Sequence, residues 1–147
     1  MDAFKKIVII EDDAESCNLF ESALPEASEN ATLKCYPNVI DFMNEVTATQ
    51  SVPDLIFIEI NLQKINGFAA AELFSRHALL MKVPLIVFSN SRAPEDMERL
   101  FKLGVARYIV KPGKYNDMVG VLKKVGRHTR DDVWASTPKD FLLSVNH

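Results

Sequence analysis

Three nearly continuous runs of Ile, Val, Leu and Phe restrict the fold more than any other feature: Ile7–Ile10, Leu55–Ile58 and Leu85–Phe88. Each is strand-sized and lacks polar alternation, so each needs cover on both faces, as strands of a parallel sheet do. Two further runs, Thr32–Tyr36 and Tyr108–Val110, complete a set of five. Helical signals fill the intervals. Val39, Phe42, Met43 and Val46 follow i, i+3, i+4, i+7, with Asn38 placed to cap the start. Met118, Val121, Leu122 and Val125 repeat that spacing, and Gly126 can end the helix. Cys17, Phe20 and Leu24 share one face of a helix expected to stop at Pro25. "APEDMERLFKLG" carries Pro94, Glu95 and Asp96 in its first turn and closes at Gly104. The Ala-rich "FAAAELF" occupies the remaining gap. Strand then helix, five times over, predicts a doubly wound α/β sheet.

The 147 residues suffice for one buried core, and a 48% hydrophobic, 25% charged composition is ordinary for a globular protein. A formal charge of -3 offers no basic stripe for nucleic acid, so no direct nucleic-acid partner is expected. No apolar run is long enough to span a bilayer, and "MDAFKKIVII" lacks a signal peptide's apolar core and cleavage site. A cytoplasmic location without membrane contact is the expectation. Cys17 and Cys35 fall in different elements without metal-like spacing and read as two buried reduced thiols. His77, His128 and His147 are scattered, which argues against a histidine metal cluster. The segment after Gly126, "RHTRDDVWASTPKDFLLSVNH", falls outside the pattern. Trp134 and "FLLSV" are expected to pack back on the body, with contact to a partner as the alternative. The expected organisation is a core of residues 1–127 and an extension of 128–147, without an output domain.

In such sheets, ligands bind outside the carboxyl ends of the strands. Glu11, Asp12 and Asp13 follow the first run; Glu59 ends the third, with Asn61 beyond; Ser89 ends the fourth; Lys111-Pro112 follows the fifth. Two or three carboxylates with a backbone carbonyl and water suit Mg²⁺. A lysine and a hydroxyl suit phosphoryl oxygens, and phosphoryl transfer needs little beyond positioning and charge neutralisation.

The pieces "IVIIEDD", "PDLIFIEINLQKING", "PLIVFSN" and "GVARYIVKP", in this order, resemble the receiver domain of two-component response regulators, of the chemotaxis-receiver type, over roughly residues 4 to 127. The resemblance implies a five-stranded flavodoxin-like sheet of order 2-1-3-4-5 and an acid pocket that accepts a phosphoryl group from a sensor histidine kinase. By position, Glu11 and Asp12 match the Mg²⁺-binding acids, and Asn61 the residue whose carbonyl also meets the metal. Ser89 matches the switch hydroxyl, Tyr108 the switch aromatic, and Lys111 the lysine that reaches the phosphoryl group. A cis Lys111-Pro112 bond is common in the family. Partners are expected on the face of the fourth and fifth helices and fifth strand, which includes Tyr108, Arg107 and Lys111; a homodimer is left open.

Glu59 stands where the family has its phospho-accepting Asp, and as a fourth acid it also counts among the metal-site residues. One extra methylene moves the carboxylate oxygens by ~1 Å, and misplacement of that order can cost about 10²-fold in rate. Switching is therefore expected to be lost, or mimicked by the permanent charge of Glu59 reaching toward Lys111 and Ser89. A receiver still phosphorylated at Glu59 or a neighbouring acid is the alternative, as is an Asp-to-Glu variant of a working receiver. Gln63, Asn66 and Asn90 also depart from common family residues, and Asn90 is expected to crowd the pocket. Outside the family, a flavodoxin-like cofactor binder is disfavoured because "EDDAES" would repel phosphate. A metal-dependent phosphatase is disfavoured because no insertion encloses a substrate. No enzymatic activity is expected.

Overall fold

The computed structural model of the chain describes residues 3–145. Five βα units come first: β1 (Lys6–Ile10), α1 (Ala14–Ala27), β2 (Thr32–Tyr36), α2 (Val39–Thr49), β3 (Leu55–Ile58), α3 (Gly67–Arg76), β4 (Leu85–Ser89), α4 (Pro94–Lys102), β5 (Arg107–Val110) and α5 (Tyr115–Gly126). A short helix α6 (Pro138–Phe141) and strand β6 (Leu142–Leu143) follow. The parallel sheet has the order β2-β1-β3-β4-β5-β6, so the expected 2-1-3-4-5 arrangement is present with a sixth strand added at its edge.

Burial explains why the runs form strands. All residues of β3 and β4 are buried, because each strand lies between neighbours and under helices on both faces. Along β1, Ile7 and Ile9 face α1 and α5, whereas Val8 and Ile10 face α2, α3 and α4. On the first face Phe20 packs edge-on against Phe57 and Phe88, with ring centroids 4.8 and 5.7 Å apart. On the second, Phe42 sits between Tyr36 and Phe74.

Helix boundaries follow local chemistry. Asn38 accepts from the Asp41 amide at 2.7 Å and caps α2 as expected. Gly104 adopts φ +90 just beyond α4, the left-handed conformation that ends a helix at least cost. Pro25 does not stop α1, which runs on to Ala27. A proline lacks its own donor and crowds the preceding turn, but later residues still bond back, as the Ser28 amide does to the Leu24 carbonyl at 2.8 Å.

The extension packs back on the body, and Arg107 is one of the residues that tie it down. This side chain, 8% exposed, donates from Nε to the Val133 carbonyl at 2.6 Å and from Nη2 to the Asp132 carbonyl at 3.1 Å. Its Nη1 reaches the Asp140 carbonyl. Phe141 then packs on Phe101 and Tyr108, and Leu142 and Leu143 pair with Tyr108 and Ile109. On the other side, a Cβ added at Gly120 would come within 2.5 Å of Val145, so glycine there lets the tail cross α5. The expectation that Arg107 lines an open partner face is corrected: three backbone carbonyls of the chain's own extension have claimed it.

Arg107→Ala should release this segment. Charge-assisted hydrogen bonds contribute about 1.5–3 kcal/mol each and are not additive, so a loss of about 3 kcal/mol is expected. Limited proteolysis should then cut within residues 128–145 while the core stays intact. An unchanged digestion pattern would show that apolar packing alone holds the extension.

Candidate functional site

The sheet's hydrogen-bond ladder continues one residue past the strands and stitches the polar residues together. The Glu11 amide donates to the Tyr36 carbonyl at 2.9 Å, the Glu59 amide to the Ile10 carbonyl at 3.1 Å, and the Lys111 amide to the Ser89 carbonyl at 2.9 Å. Four strand ends thus converge at one edge, as the sequence implied. Glu11 and Glu59 are 3% and 7% exposed and Ser89 is fully buried, whereas Asp12 and Asn61 are exposed.

Lys111 is the centre of charge. Its ammonium contacts the Glu11 carboxylate and lies 2.9 Å from Glu59 Oε1 and 3.2 Å from Ser16 Oγ. Burial alone would depress the lysine, but hydrogen bonds and attraction from Glu11 and Glu59 outweigh it and hold Lys111 above its ordinary value. The two acids divide unequally. Burial pushes the Glu11 carboxyl up, and Lys111 only partly offsets this. Burial acts upward on Glu59 too, yet hydrogen bonds from Ser89 and Lys111, the lysine's charge and the Asn61 amide bring it below its ordinary value.

The Glu59 side chain folds back on its own loop. Oε2 accepts from the Ile60 amide at 2.6 Å and from the Asn61 amide at 3.3 Å. Gly67 closes the loop above it: the Gly67 amide donates to the Ile60 carbonyl at 2.8 Å, and a Cβ at this position would come within 2.7 Å of the Ile60 Cα. Asn66 caps α3 by accepting from the Ala69 amide at 2.9 Å, a local reason for an amide there.

Tyr108 is fully buried, and its hydroxyl donates to the Ser91 carbonyl at 2.8 Å. Burial raises its phenol above the ordinary value. The Ser91 amide in turn lies 3.4 Å from Ser89 Oγ, so Ser89, Ser91 and Tyr108 form one connected path beside Glu59. Asn90 is exposed and does not crowd the acids. The Lys111-Pro112 peptide is not cis; among the described residues every peptide bond is trans. Here Lys111 is already fixed by its amide and two carboxylates, without help from the proline turn.

Two features escaped the sequence reading. Asp13, grouped there with the other acids, instead caps α1 through the Ser16 amide at 3.3 Å and hydroxyl at 2.8 Å. Its position just before an apolar helical stripe is the signal that could have shown this. Cys17 and Cys35 are not thiols but a disulfide joining α1 to β2, because the fold brings their Cα atoms to 6.6 Å.

Oxygen donors from Glu11, Asp12 and the Asn61 carbonyl suit Mg²⁺ in kind. Among the described residues, however, no three metal-ligating side chains converge, because Lys111 engages Glu11 and Glu59 turns to its own loop. Nor is any described helix long and apolar enough to cross a membrane.

The profile of the response regulator receiver domain family matches residues 7–123. Sensory transduction protein BceR of Halalkalibacterium halodurans is 28% identical over 137 residues, covering 90% of this chain and 56% of that protein. The two-component response regulator-like protein APRR1 of Arabidopsis thaliana is 28% identical over 126 residues, 85% of this chain and 20% of that protein. The chain thus spans about half or less of these curated relatives. Among solved structures, the phosphorylated cyanobacterial phytochrome response regulator RcpA superposes with a TM-score of 0.76 at 24% identity, covering 91% of this chain and 96% of that one. The Mn²⁺-bound form of the response regulator Rcp1 gives 0.73 at 20% identity, over 82% and 91%.

Proposed function

The chain belongs to the response regulator receiver domain family, signalling modules rather than enzymes, and from that premise we propose that its switch is set by Glu59 and not by a phosphoryl group. One observation carries this reading. The Glu59 carboxylate already engages Lys111 and the amides of Ile60 and Asn61. A phosphoryl group at this edge would need such donors for its own oxygens. Here they are taken, and one acceptor oxygen points into the loop rather than outward.

The same contacts give Glu59 a positive role. Glu59 lies beside the Ser89–Ser91–Tyr108 path and its pull is felt there, so a permanent charge at Glu59 holds the loop after β4 and the buried tyrosine in one setting. Output then passes through contacts with a sensor histidine kinase or another signalling protein. Since the extension covers β5, such a partner meets Met97 and Phe101 of α4 together with Phe141 and Leu142, which line one groove, and not Arg107. Mg²⁺ binding is retained at Glu11, Asp12 and the Asn61 carbonyl but weakened, because the cation competes with Lys111 for Glu11.

The test is intact mass after incubation with a small phosphodonor and Mg²⁺. The protein should gain no phosphoryl group at times when a receiver with an aspartate acceptor is fully modified. Addition of one phosphoryl group at Glu59 or a neighbouring acid would reverse the reading.

A further inference from the structure

The disulfide between Cys17 and Cys35 has no part in the chemistry above, yet it lies against the acid pocket. Cys17 belongs to the first turns of α1, and its sulfur is 3.9 Å from the carbonyl of Glu11. The residue before it, Ser16, touches the Lys111 ammonium and is held by the Asp13 cap. Cys35 sits on β2 opposite Ile9, one residue before Tyr36, whose carbonyl takes the Glu11 amide. The bond therefore ties the two segments that flank Glu11.

We propose that Cys17 and Cys35 are a reversible oxidation site, whose disulfide fixes the β1–α1 loop and whose reduction frees it. Three features favour a reversible bond over a structural staple. Both faces of the sheet carry a full apolar core, so the fold does not need a cross-link as a small disulfide-dense domain does. Reduced cysteines suit the site as small apolar side chains, Cys17 beside Phe20 and Cys35 at the margin of the same cluster. Access is also unequal: Cys35 is half-buried and Cys17 buried, the arrangement for ordered exchange with a small disulfide.

The balanced sequence is short. The Cys35 thiolate attacks a sulfur of a small-molecule disulfide, forming a mixed disulfide and expelling one small thiolate. Loss of the Cys17 proton to solvent then gives a thiolate that attacks the Cys35 sulfur and expels the second. Two protein thiols are oxidised, one small disulfide is reduced, and the two released thiolates take up the two protons. Non-bonded sulfurs pack farther apart than bonded ones, so reduction shifts the start of α1 relative to β2. That shift is felt at Ser16 and Glu11.

The test uses the full chain in mixtures of reduced and oxidised glutathione spanning fully reduced to fully oxidised. Alkylation with intact mass counts thiols, and amide resonances and hydrogen exchange report on residues 11–18. The expected result is a transition from two thiols to none that added reduced glutathione reverses. Amide shifts should extend to Glu11 and Ser16, and exchange at residues 16–18 should be about threefold or more slower in the oxidised form. Cys35→Ser should show no transition and keep the reduced pattern. The consequence for the pocket rests on the role proposed for it above, but the thiol count does not and needs no phosphodonor. Three results would overturn the inference: thiols at every glutathione ratio, a bond that resists excess thiol in the folded chain, or changes confined to the two cysteines.

Discussion

Lys111→Met should be the most destabilising change at this site, by about 3 kcal/mol at neutral pH. Lys111 is 10% exposed and pairs with two carboxylates that are themselves almost fully buried. Methionine preserves the length and packing of the side chain but leaves both acids without a cation, and they repel each other. The loss should depend on pH. Glu59, lowered in the fold, contributes stability above its ordinary value of about 4.3, and this is lost as pH falls through its lowered value. Glu11, raised in the fold, contributes below that ordinary value, and its contribution is lost as pH rises through the raised one. Lys111, also raised, contributes below the ordinary lysine value of about 10.4 and up to its own higher folded value. The gap between variant and parent should therefore be widest from neutral to mildly alkaline pH and close in acid, where both carboxyls take protons. Urea unfolding at several pH values measures it. Millimolar Mg²⁺ should recover part of the loss in the variant by supplying the missing cation. A deficit that is constant with pH would assign the role of Lys111 to packing, and a variant indifferent to Mg²⁺ would remove the metal from the proposal.

The parallel core was legible because its signal is local: strands buried on both faces must be apolar throughout, and Leu55–Ile58 and Leu85–Phe88 are. The site followed from topology, since parallel strands deliver Glu11, Glu59, Ser89 and Lys111 to one edge wherever the helices lie. What stayed hidden depends on partners distant in sequence. Leu142-Leu143 is too short to announce a strand, and becomes one only against Tyr108 and Ile109. Arg107 read as a surface cation because its partners are backbone carbonyls 25 and more residues away, which leave no trace in composition. Cys17 and Cys35 carry no shared motif; their meeting follows from how α1 crosses β2. The fold-back of Glu59 required knowing that Ile60 and Asn61 present their amides to it.

Glu59→Asp should turn a site that resists phosphorylation into one that accepts it. The shorter carboxylate should reach Lys111 less well while bonding the amides of Ile60 and Asn61, so the fold-back contact at 2.6 Å is expected to give way. Those amides, with Ser89 and Lys111, then become available to oxygens of an incoming phosphoryl group. The Asp oxygen attacks phosphorus, the donor's leaving group departs with the bonding pair, and an acyl phosphate results. With Mg²⁺ at Glu11 and Asp12, the variant should approach one phosphoryl group per chain and react at least about 10²-fold faster than the parent, the scale set by a misplacement of ~1 Å. Intact mass against time, with parent and variant side by side, gives the ratio. If the variant also resists, Glu59 is not the sole obstacle; the Lys111–Glu11 contact becomes the next suspect, since it competes for the acid a metal would need. If it reacts, the remaining pocket is competent and the permanent setting of Tyr108 traces to one methylene. The shorter reach of the carboxylate should then loosen the path through Ser89 and Ser91 in the unmodified variant, and phosphorylation should tighten it again.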